Sequence, residues 1–293
     1  MSVMVNINGR LFDKEHAVLS VFDHGFLYGE GIYEVLRTYD GVPFLLDRHL
    51  RRLRNSAAMI RLDLPLSDAE IELRFLDTVS AAGLGPGGRD AYIRILVTRG
   101  IGEITYDPAA CPEPSIVIIT KPHVDPPASA YTDGVIVSLV GVMRNHPGTV
   151  NPLIKSNNLL NNALGNQEAL RKGAFEAVMR NYRGEIAECS QSNIFIVKDG
   201  VALTPPTDAG LLVGITREFL FEVAQDIGIP MREQVLQEAD LFGAHECFLT
   251  STTRELVPIV RVDEHVIGSG SPGRITTALL EAFRVRARGL VAR

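Results

Sequence analysis

Cysteine is scarce in this sequence of 293 residues, and long apolar runs are absent from it. The three cysteines, Cys111, Cys189 and Cys247, are far apart, and no C-x-x-C pair occurs. The sequence therefore supports neither a disulfide framework nor a zinc site, and we expect no metal. No segment approaches the roughly 18 apolar residues of a membrane-spanning helix, so no membrane partner is expected. The opening MSVMVNINGRLF lacks a basic stretch followed by an apolar one, which predicts no signal peptide and a location in the cytoplasm.

Positive charge is not in excess either. The chain has 29 Lys and Arg against 35 Asp and Glu, which gives a net charge of −6. We therefore predict no general attraction to nucleic acid. With 46% hydrophobic and 22% charged residues, the chain can bury a sizeable core in one large domain or two.

The pattern of strands and helices divides at a proline-rich segment, KPHVDPPASAYTDG. Before it, VMVNINGRLF predicts a hairpin, LDRHLRRLRNSAAMIRL and the segment opened by SDAE predict helices, and AYIRILVTRG and PSIVIIT predict strands. After it, short strands alternate with three predicted helices, which end near Gly173, near Gly228 and at the end of the chain. We therefore predict an α+β protein with a small N-terminal domain at 1–122, a linker at 123–131 and a large C-terminal domain at 132–293. A crevice between two domains is a usual place for a small-molecule site.

Lys155 stands alone in a stretch cleared of charge. Between Arg144 and Glu168 it is the only Lys, Arg, Asp or Glu. A desolvated lysine has a lowered pKa, because burial disfavours the charged ammonium, and such an amine can form a Schiff base with a carbonyl. The same pattern also fits an ordinary lysine that reaches the surface from the start of a helix.

Four other features could bind an anion or a cationic ring. The segment Gly214–Thr216 precedes a helix and suits a phosphate, although threonine there is also a common N-cap. The hydroxyls of Thr250–Thr253 end an apolar strand and could bind an oxyanion or make turn hydrogen bonds. Glu188 could pair with a cationic ring nitrogen or be a surface carboxylate. Either Arg51 or Arg52 could face inward towards a phosphate or carboxylate, or both could belong to a solvated face. Together with a lysine for a carbonyl, these are the requirements of pyridoxal 5′-phosphate.

At this point the sequence resembles a known family, the fold-type IV (class IV) pyridoxal-phosphate aminotransferases. The family includes branched-chain and D-amino-acid aminotransferases and aminodeoxychorismate lyase. The resemblance covers almost the whole chain through ordered segments: SVFDHGFLYGEGIYEVLRTYDG, DRHLRRL, AYIRILVTRG, IKSNNLLNNALGNQEA, AECSQSNIFIVKDG, TPPTDAGLLVGITRE, FLTSTTRELVPIV and PGRITTALLEAF. It implies two α/β domains with the cofactor in the crevice between them, and a homodimer or larger oligomer whose partner loops help to close the site.

The resemblance also implies the role of each site residue. Lys155 matches the lysine that binds the cofactor and carries the proton, and Glu188 matches the acid that keeps the ring nitrogen protonated. The implied phosphate-binding and other cofactor-binding residues are Arg52, Ile215, Thr216, Ser251 and Thr252. The implied substrate-binding residues are Tyr28, Tyr33, Arg37, Tyr92, Arg94 and Thr253.

The substrate signals in the chain are mixed. Leu160 stands where branched-chain enzymes usually carry a tyrosine, Val35 follows Glu34 where they tend to have glycine, and STTRE replaces their GTAAE, all closer to the D-amino-acid pattern. In contrast, AYIR is a branched-chain mark, and the Arg-x-His pair of D-amino-acid enzymes does not follow TRG. We predict a transaminase that moves an amino group from a hydrophobic, branched-chain L-amino acid to 2-oxoglutarate. The alternatives are a D-amino-acid or (R)-amine transaminase and, third, an aminodeoxychorismate lyase.

Overall fold

The computed structural model describes residues 3–291, which form two compact units. The first unit runs to Val124 and includes Ile154–Asn158 and the end of the last helix from Arg288. The second comprises Asp125–Leu153 and Leu159–Ala287. No helix within residues 3–291 has both the length and the apolar character needed to cross a membrane.

Two segments lie elsewhere than the sequence-based boundaries predict. Ile154–Asn158 belongs to the first unit, because its backbone is hydrogen-bonded to the strand that starts at Gly31. Most of the predicted linker belongs to the second unit, because Ser129–Thr132 forms a short helix whose Ala130 is buried in that unit's core.

The first unit is built on a six-stranded sheet, with strands in the order β2-β1-β6-β5-β3-β4. Its strands are β1 (Met4–Ile7), β2 (Arg10–Asp13), β3 (Gly31–Tyr39), β4 (Val42–Pro43), β5 (Ala91–Thr98) and β6 (Ser115–Pro122). Its helices are α1 (His24–Leu27), α2 (Leu46–Met59) and α3 (Asp68–Ala81).

Local sequence explains most of these elements. Asn8 and Gly9 both have positive φ, as a two-residue hairpin turn requires, and they join β1 to β2. Helix α3 opens with the capping box of Ser67 and Glu70 that the sequence predicts. Helix α2 buries Leu50, Leu53 and Ala57 in the core that α3 and the sheet share.

The second unit contains a nine-stranded sheet, ordered β12-β11-β10-β13-β14-β7-β8-β9, with β15 also paired to β14. Its strands are β7 (Val135–Leu139), β8 (Glu176–Arg180), β9 (Ile186–Cys189), β10 (Asn193–Lys198), β11 (Val201–Thr204), β12 (Met231–Glu233), β13 (Glu246–Ser251), β14 (Glu255–Val262) and β15 (His265–Val266). Its helices are α4 (Ser129–Thr132), α5 (Leu160–Arg171), α6 (Ile215–Asp226), α7 (Glu238–Phe242) and most of α8 (Arg274–Val291). Helix α6 packs against β13. Gly214, just before the helix, approaches Asn193, which pairs with Thr250 near the end of that strand.

Candidate active site

Lys155 lies in an extended segment that is hydrogen-bonded to both β3 and α2. Its carbonyl accepts from the Tyr33 N–H at 2.9 Å, and its N–H donates to Ser56 Oγ at 3.1 Å. Its Nζ lies 4.4 Å from the centroid of the Tyr33 ring. The side chain is half-buried. It is therefore not a lysine that extends into solvent from the start of a helix, because α5 begins only at Leu160.

Four of the predicted substrate residues share one face of the β3–β5 pair. In the antiparallel register Val35 is opposite Arg94 and Arg37 is opposite Tyr92, so their side chains emerge on the side away from the apolar core. The Arg94 guanidinium lies 4.2 Å from the Tyr33 ring centroid. Lys155 Nζ contacts the same ring, so the lysine amine and the arginine lie close to one tyrosine.

The other two arginine candidates have acidic partners. Arg37 is buried and lies 3.5 Å from Asp90. Of the pair on α2, Arg51 is exposed and Arg52 faces inward, as one of them was expected to do. Arg52 donates from Nε and Nη2 to the buried Glu34, at 2.7 and 2.9 Å.

Tyr28, the remaining substrate candidate of the first unit, follows α1. Its ring packs edge-on against His24 at 4.9 Å and lies 5.1 Å from the ring of Tyr106. His24 Nε2 is 2.9 Å from the Glu103 carbonyl oxygen. Tyr28 is thus positioned by two loops that lie beside the end of β5.

Glu188, the predicted partner of a ring nitrogen, is buried on β9 and ion-paired with Arg144. Arg144 Nε donates to Glu188 Oε1 at 2.6 Å, and Arg144 Nη1 donates to the side-chain oxygens of Asn161 and Asn162. Glu188 Oε2 accepts from the Leu212 N–H at 3.1 Å. Glu188 is therefore not a surface turn carboxylate, since it accepts several hydrogen bonds that fix its orientation.

The start of α6 has the features of an anion site. Gly214 is the N-cap and provides no side-chain cap, so the first-turn N–H groups are available as donors. A Cβ at Gly214 would lie 2.0 Å from Asn193 Oδ1, so only glycine allows this close approach. Thr216 is not the N-cap; its hydroxyl is buried and has no hydrogen-bond partner within residues 3–291.

The TSTT segment ends β13 beside this helix start. Thr250 is paired across the sheet with Asn193, the residue that Gly214 approaches. The hydroxyls of Thr250 and Ser251 are buried and, in the described part of the chain, make no hydrogen bond. They are therefore not used in ordinary turn hydrogen bonds. Thr252 and Thr253 follow in the β13–β14 turn and are half-exposed.

The residues of the second unit fit a phosphorylated pyridine cofactor. Buried hydroxyls are normally hydrogen-bonded, so the buried Thr216 hydroxyl, which has no described partner and lies in the first turn of an uncapped helix, points to an oxygen-rich ligand. The buried carboxylate of Glu188 hydrogen-bonds to Leu212, which precedes that helix start by two residues. The donor set thus matches an anionic group and a ring nitrogen at one place.

Sequence patterns missed three residues of these networks. Arg144 and Asn193 carry no local signal, because their role lies in contacts with Glu188 that the folded chain creates. Glu34 lies next to Tyr33 in an otherwise apolar-rich strand. An acidic residue between the apolar Ile32 and Leu36 was the signal that could have indicated a buried ion pair.

Comparison with known proteins identifies the family. The family described as amino-transferase class IV matches residues 31–262. The chain belongs to the class IV aminotransferases. This confirms the predicted family, the α+β fold and the assignment as an enzyme.

Relatives of this class IV aminotransferase have several substrates in their names. A protein named "Putative branched-chain-amino-acid aminotransferase" from Methanocaldococcus jannaschii is 40% identical over 96% of this chain and 95% of its own length. A D-alanine aminotransferase from Bacillus licheniformis is 34% identical, over 96% and 95%. The crystal structure of the branched-chain amino acid aminotransferase from Thermobaculum terrenum in its PLP form superposes with a TM-score of 0.86 at 26% identity, covering 98% of this chain and 94% of that chain.

Proposed function

We propose that this class IV aminotransferase uses pyridoxal 5′-phosphate to move an amino group from a hydrophobic, branched-chain L-amino acid to 2-oxoglutarate. The observation that carries the proposal is the face of β3 and β5. There Lys155 Nζ contacts the Tyr33 ring beside Arg94, an arginine for which residues 3–291 offer no acidic partner. An amine in this place could act on the Cα–H of an amino acid, and the neighbouring arginine could bind the extra carboxylate of a dicarboxylic 2-oxo acid.

The residues proposed to hold the cofactor are those that the family resemblance implies. Arg52, the first N–H groups of α6 (Ile215 among them) and the hydroxyls of Thr216, Ser251 and Thr252 would bind its phosphate. Glu188 would accept a hydrogen bond from the ring nitrogen. When bound, the cofactor supplies an electron-withdrawing ring that makes the Cα–H of an attached amino acid acidic and carries the amino group between half-reactions. The PLP form of the Thermobaculum terrenum relative supports this choice of cofactor.

Lys155 Nζ would move the proton. It would accept the Cα proton as a general base, hold it on Nζ and then give it up as a general acid at the carbon that carries the amino group away. The Lys155 backbone is hydrogen-bonded to the Tyr33 N–H and to Ser56 Oγ, which fixes the start of the lysine side chain. Nζ is therefore already oriented before the proton transfer, which lowers the entropic cost of reaching the transition state.

The donor and acceptor are proposed from the same face. Tyr33, Val35, Tyr92 and Leu96 offer rings and aliphatic groups to a hydrophobic side chain. Arg94 would bind the second carboxylate of 2-oxoglutarate, since a guanidinium and a carboxylate form paired hydrogen bonds. The 40% identity to the Methanocaldococcus jannaschii relative supports the branched-chain donor.

A second candidate is a D-amino-acid or (R)-amine transaminase. It is favoured by Leu160, which is exposed at the start of α5 where branched-chain enzymes carry tyrosine, and by the STTRE loop. The D-alanine aminotransferase of Bacillus licheniformis supports it.

A location in the cytoplasm stays a prediction of the sequence.

We also propose that the enzyme is a homodimer or larger. Exposed apolar side chains lie on the adjacent segments 18–26 and 101–106 of the first unit, which Asp23 and Ile101 join through a backbone bridge. The exposed residues are Val18, Leu19, Val21, Phe22, Phe26, Ile101, Ile104 and Tyr106. A contiguous apolar surface of this kind is typical of a protein interface. Light scattering of the purified protein measures the oligomeric state, and a monomer would contradict this proposal.

A half-reaction tests the function. Purified holoenzyme is mixed separately with L-leucine, D-alanine and (R)-1-phenylethylamine, and loss of the visible band of the lysine-linked cofactor is followed. We expect fast bleaching by L-leucine alone. Fast bleaching by D-alanine or the (R)-amine would favour the second candidate, and a Lys155→Ala protein that transaminates at the parent rate would refute the mechanism.

A further inference from the structure

Glu34 is a charged residue on the apolar side of β3. Ile32 and Leu36, two positions before and after it, belong to the buried core of the first unit, and the Glu34 side chain is fully buried with them. An ionised carboxylate in such a place needs partners, because burial removes its water. Three donors from α2 supply them: His49 Nδ1 at 2.7 Å, Arg52 Nε at 2.7 Å and Arg52 Nη2 at 2.9 Å.

The partners keep Glu34 ionised. Burial by itself would raise the pKa of Glu34, but the charge of Arg52 and the hydrogen bonds from Arg52 and His49 hold it well below its usual 4.5. His49 is itself fully buried, and burial lowers its pKa, so the imidazole is neutral and donates from Nδ1. Glu34 and Arg52 therefore form a charge-balanced pair at neutral pH.

The pair fixes the direction of Arg52. Two parallel hydrogen bonds to one carboxylate hold the plane of a guanidinium far better than one contact does. Glu34 is fully buried, whereas Arg52 is 12% exposed, so the arginine is anchored from the core side and reaches the surface of the unit. An anion at that surface meets a guanidinium whose orientation is already set.

The same strand and helix hold Lys155. Tyr33, next to Glu34 on β3, donates to the Lys155 carbonyl, and Ser56, one turn after Arg52 on α2, accepts from the Lys155 N–H. The paired hydrogen bonds between Glu34 and Arg52 thus join β3 to α2 beside the residues of both elements that hold the Lys155 backbone.

We propose that Glu34 is a positioning residue that aims Arg52 at the phosphate of the bound cofactor, with His49 fixing the carboxylate from its other side. The proposal rests on the proposed function, since it assumes a phosphorylated cofactor. Glu34 acts through Arg52 and touches neither substrate nor cofactor.

Phosphate-dependent binding tests this role. Full-length wild type, Glu34→Gln and Asp68→Asn are stripped of cofactor and titrated with pyridoxal 5′-phosphate and, separately, with pyridoxal, which has no phosphate. Asp68→Asn is the matched control, because Arg54 on the same helix pairs with Asp68 at 2.6 Å on the exposed side. We expect Glu34→Gln to weaken pyridoxal 5′-phosphate binding by about tenfold or more and to leave the affinity for pyridoxal within about twofold. The control should change neither.

A double variant separates positioning from general damage. If Glu34 acts through Arg52, then Glu34→Gln adds nothing to the loss of phosphate preference that Arg52→Gln causes by itself. Equal weakening of both ligands by Glu34→Gln, or no weakening, would overturn the proposal. If Glu34→Gln does not fold, Arg52→Lys replaces it in the titration, since lysine keeps the charge but cannot make two parallel hydrogen bonds to Glu34. A preference for pyridoxal 5′-phosphate over pyridoxal that is unchanged in Arg52→Lys would then refute the positioning role. Wild type that binds neither ligand would instead refute the proposed function.

Discussion

The ion pair between Arg144 and Glu188 gives the sharpest stability prediction. Replacing Arg144 by Met removes the 2.6 Å contact and leaves the carboxylate buried. Breaking a buried pair by removing one partner typically costs about 3–5 kcal/mol. Glu188 keeps the Leu212 N–H at 3.1 Å and Asn193 Nδ2 at 3.4 Å, which places the expected loss near the lower end, about 3 kcal/mol.

Urea unfolding of the full chain, followed by circular dichroism, measures this loss. Arg54→Met is the matched control, because its pair with Asp68 has the same 2.6 Å separation but is exposed, and we expect it to cost about 0–1 kcal/mol. The double variant Arg144→Met, Glu188→Gln should recover more than half of the loss, since the uncompensated charge is then gone. A loss from Arg144→Met no larger than that of the control, or no recovery in the double variant, would refute the reasoning.

Three further predictions concern the acceptor, the helix start and pH. Arg94→Gln should raise the KM for 2-oxoglutarate about tenfold or more while leaving the KM for a 2-oxo acid without a second carboxylate near its parent value, as steady-state kinetics would show; equal effects on both acceptors would contradict the assigned role. Gly214→Ala should lower stability by about 1–3 kcal/mol in thermal unfolding, because its Cβ would lie 2.0 Å from Asn193 Oδ1, whereas Gly289→Ala, with open space around its Cβ, should be neutral or stabilising. The free energy of unfolding should fall by up to about 1.4 kcal/mol per pH unit as pH is lowered from 7 to 5. Burial lowers the pKa of His49 below its usual 6.5, so in this range the unfolded chain binds a proton that the folded chain does not. A pH dependence that is unchanged in His49→Gln would rule out this source.

Local sequence was sufficient wherever an element depends on its own residues. The Asn8-Gly9 hairpin, the capping box at Ser67 and the buried stripe of α2 all form as predicted, because turn geometry, capping and helical periodicity act within a few residues. The lone Lys155 and the ordered motifs identified the family, which the match over residues 31–262 confirms.

Strand β3 shows where local pattern stops being informative. No sequence pattern predicted it, since Glu34 occupies a core-facing position that alternation reserves for apolar residues. The carboxylate is stable there only because α2 brings Arg52 and His49 to it from 15 or more positions along the chain.

By itself, then, the sequence determined the hairpin, the capped and amphipathic helices and the family. Tertiary structure decided that Ile154–Asn158 joins the first unit, that Arg52 is held by Glu34, that Glu188 is paired with Arg144, and that the Thr216 and Ser251 hydroxyls are buried without a described partner. The physical reason is that burial and ion pairing depend on which strands and helices become neighbours. Those neighbours are determined by contacts between residues far apart in the chain, whereas a short motif contains information only about its own local structure.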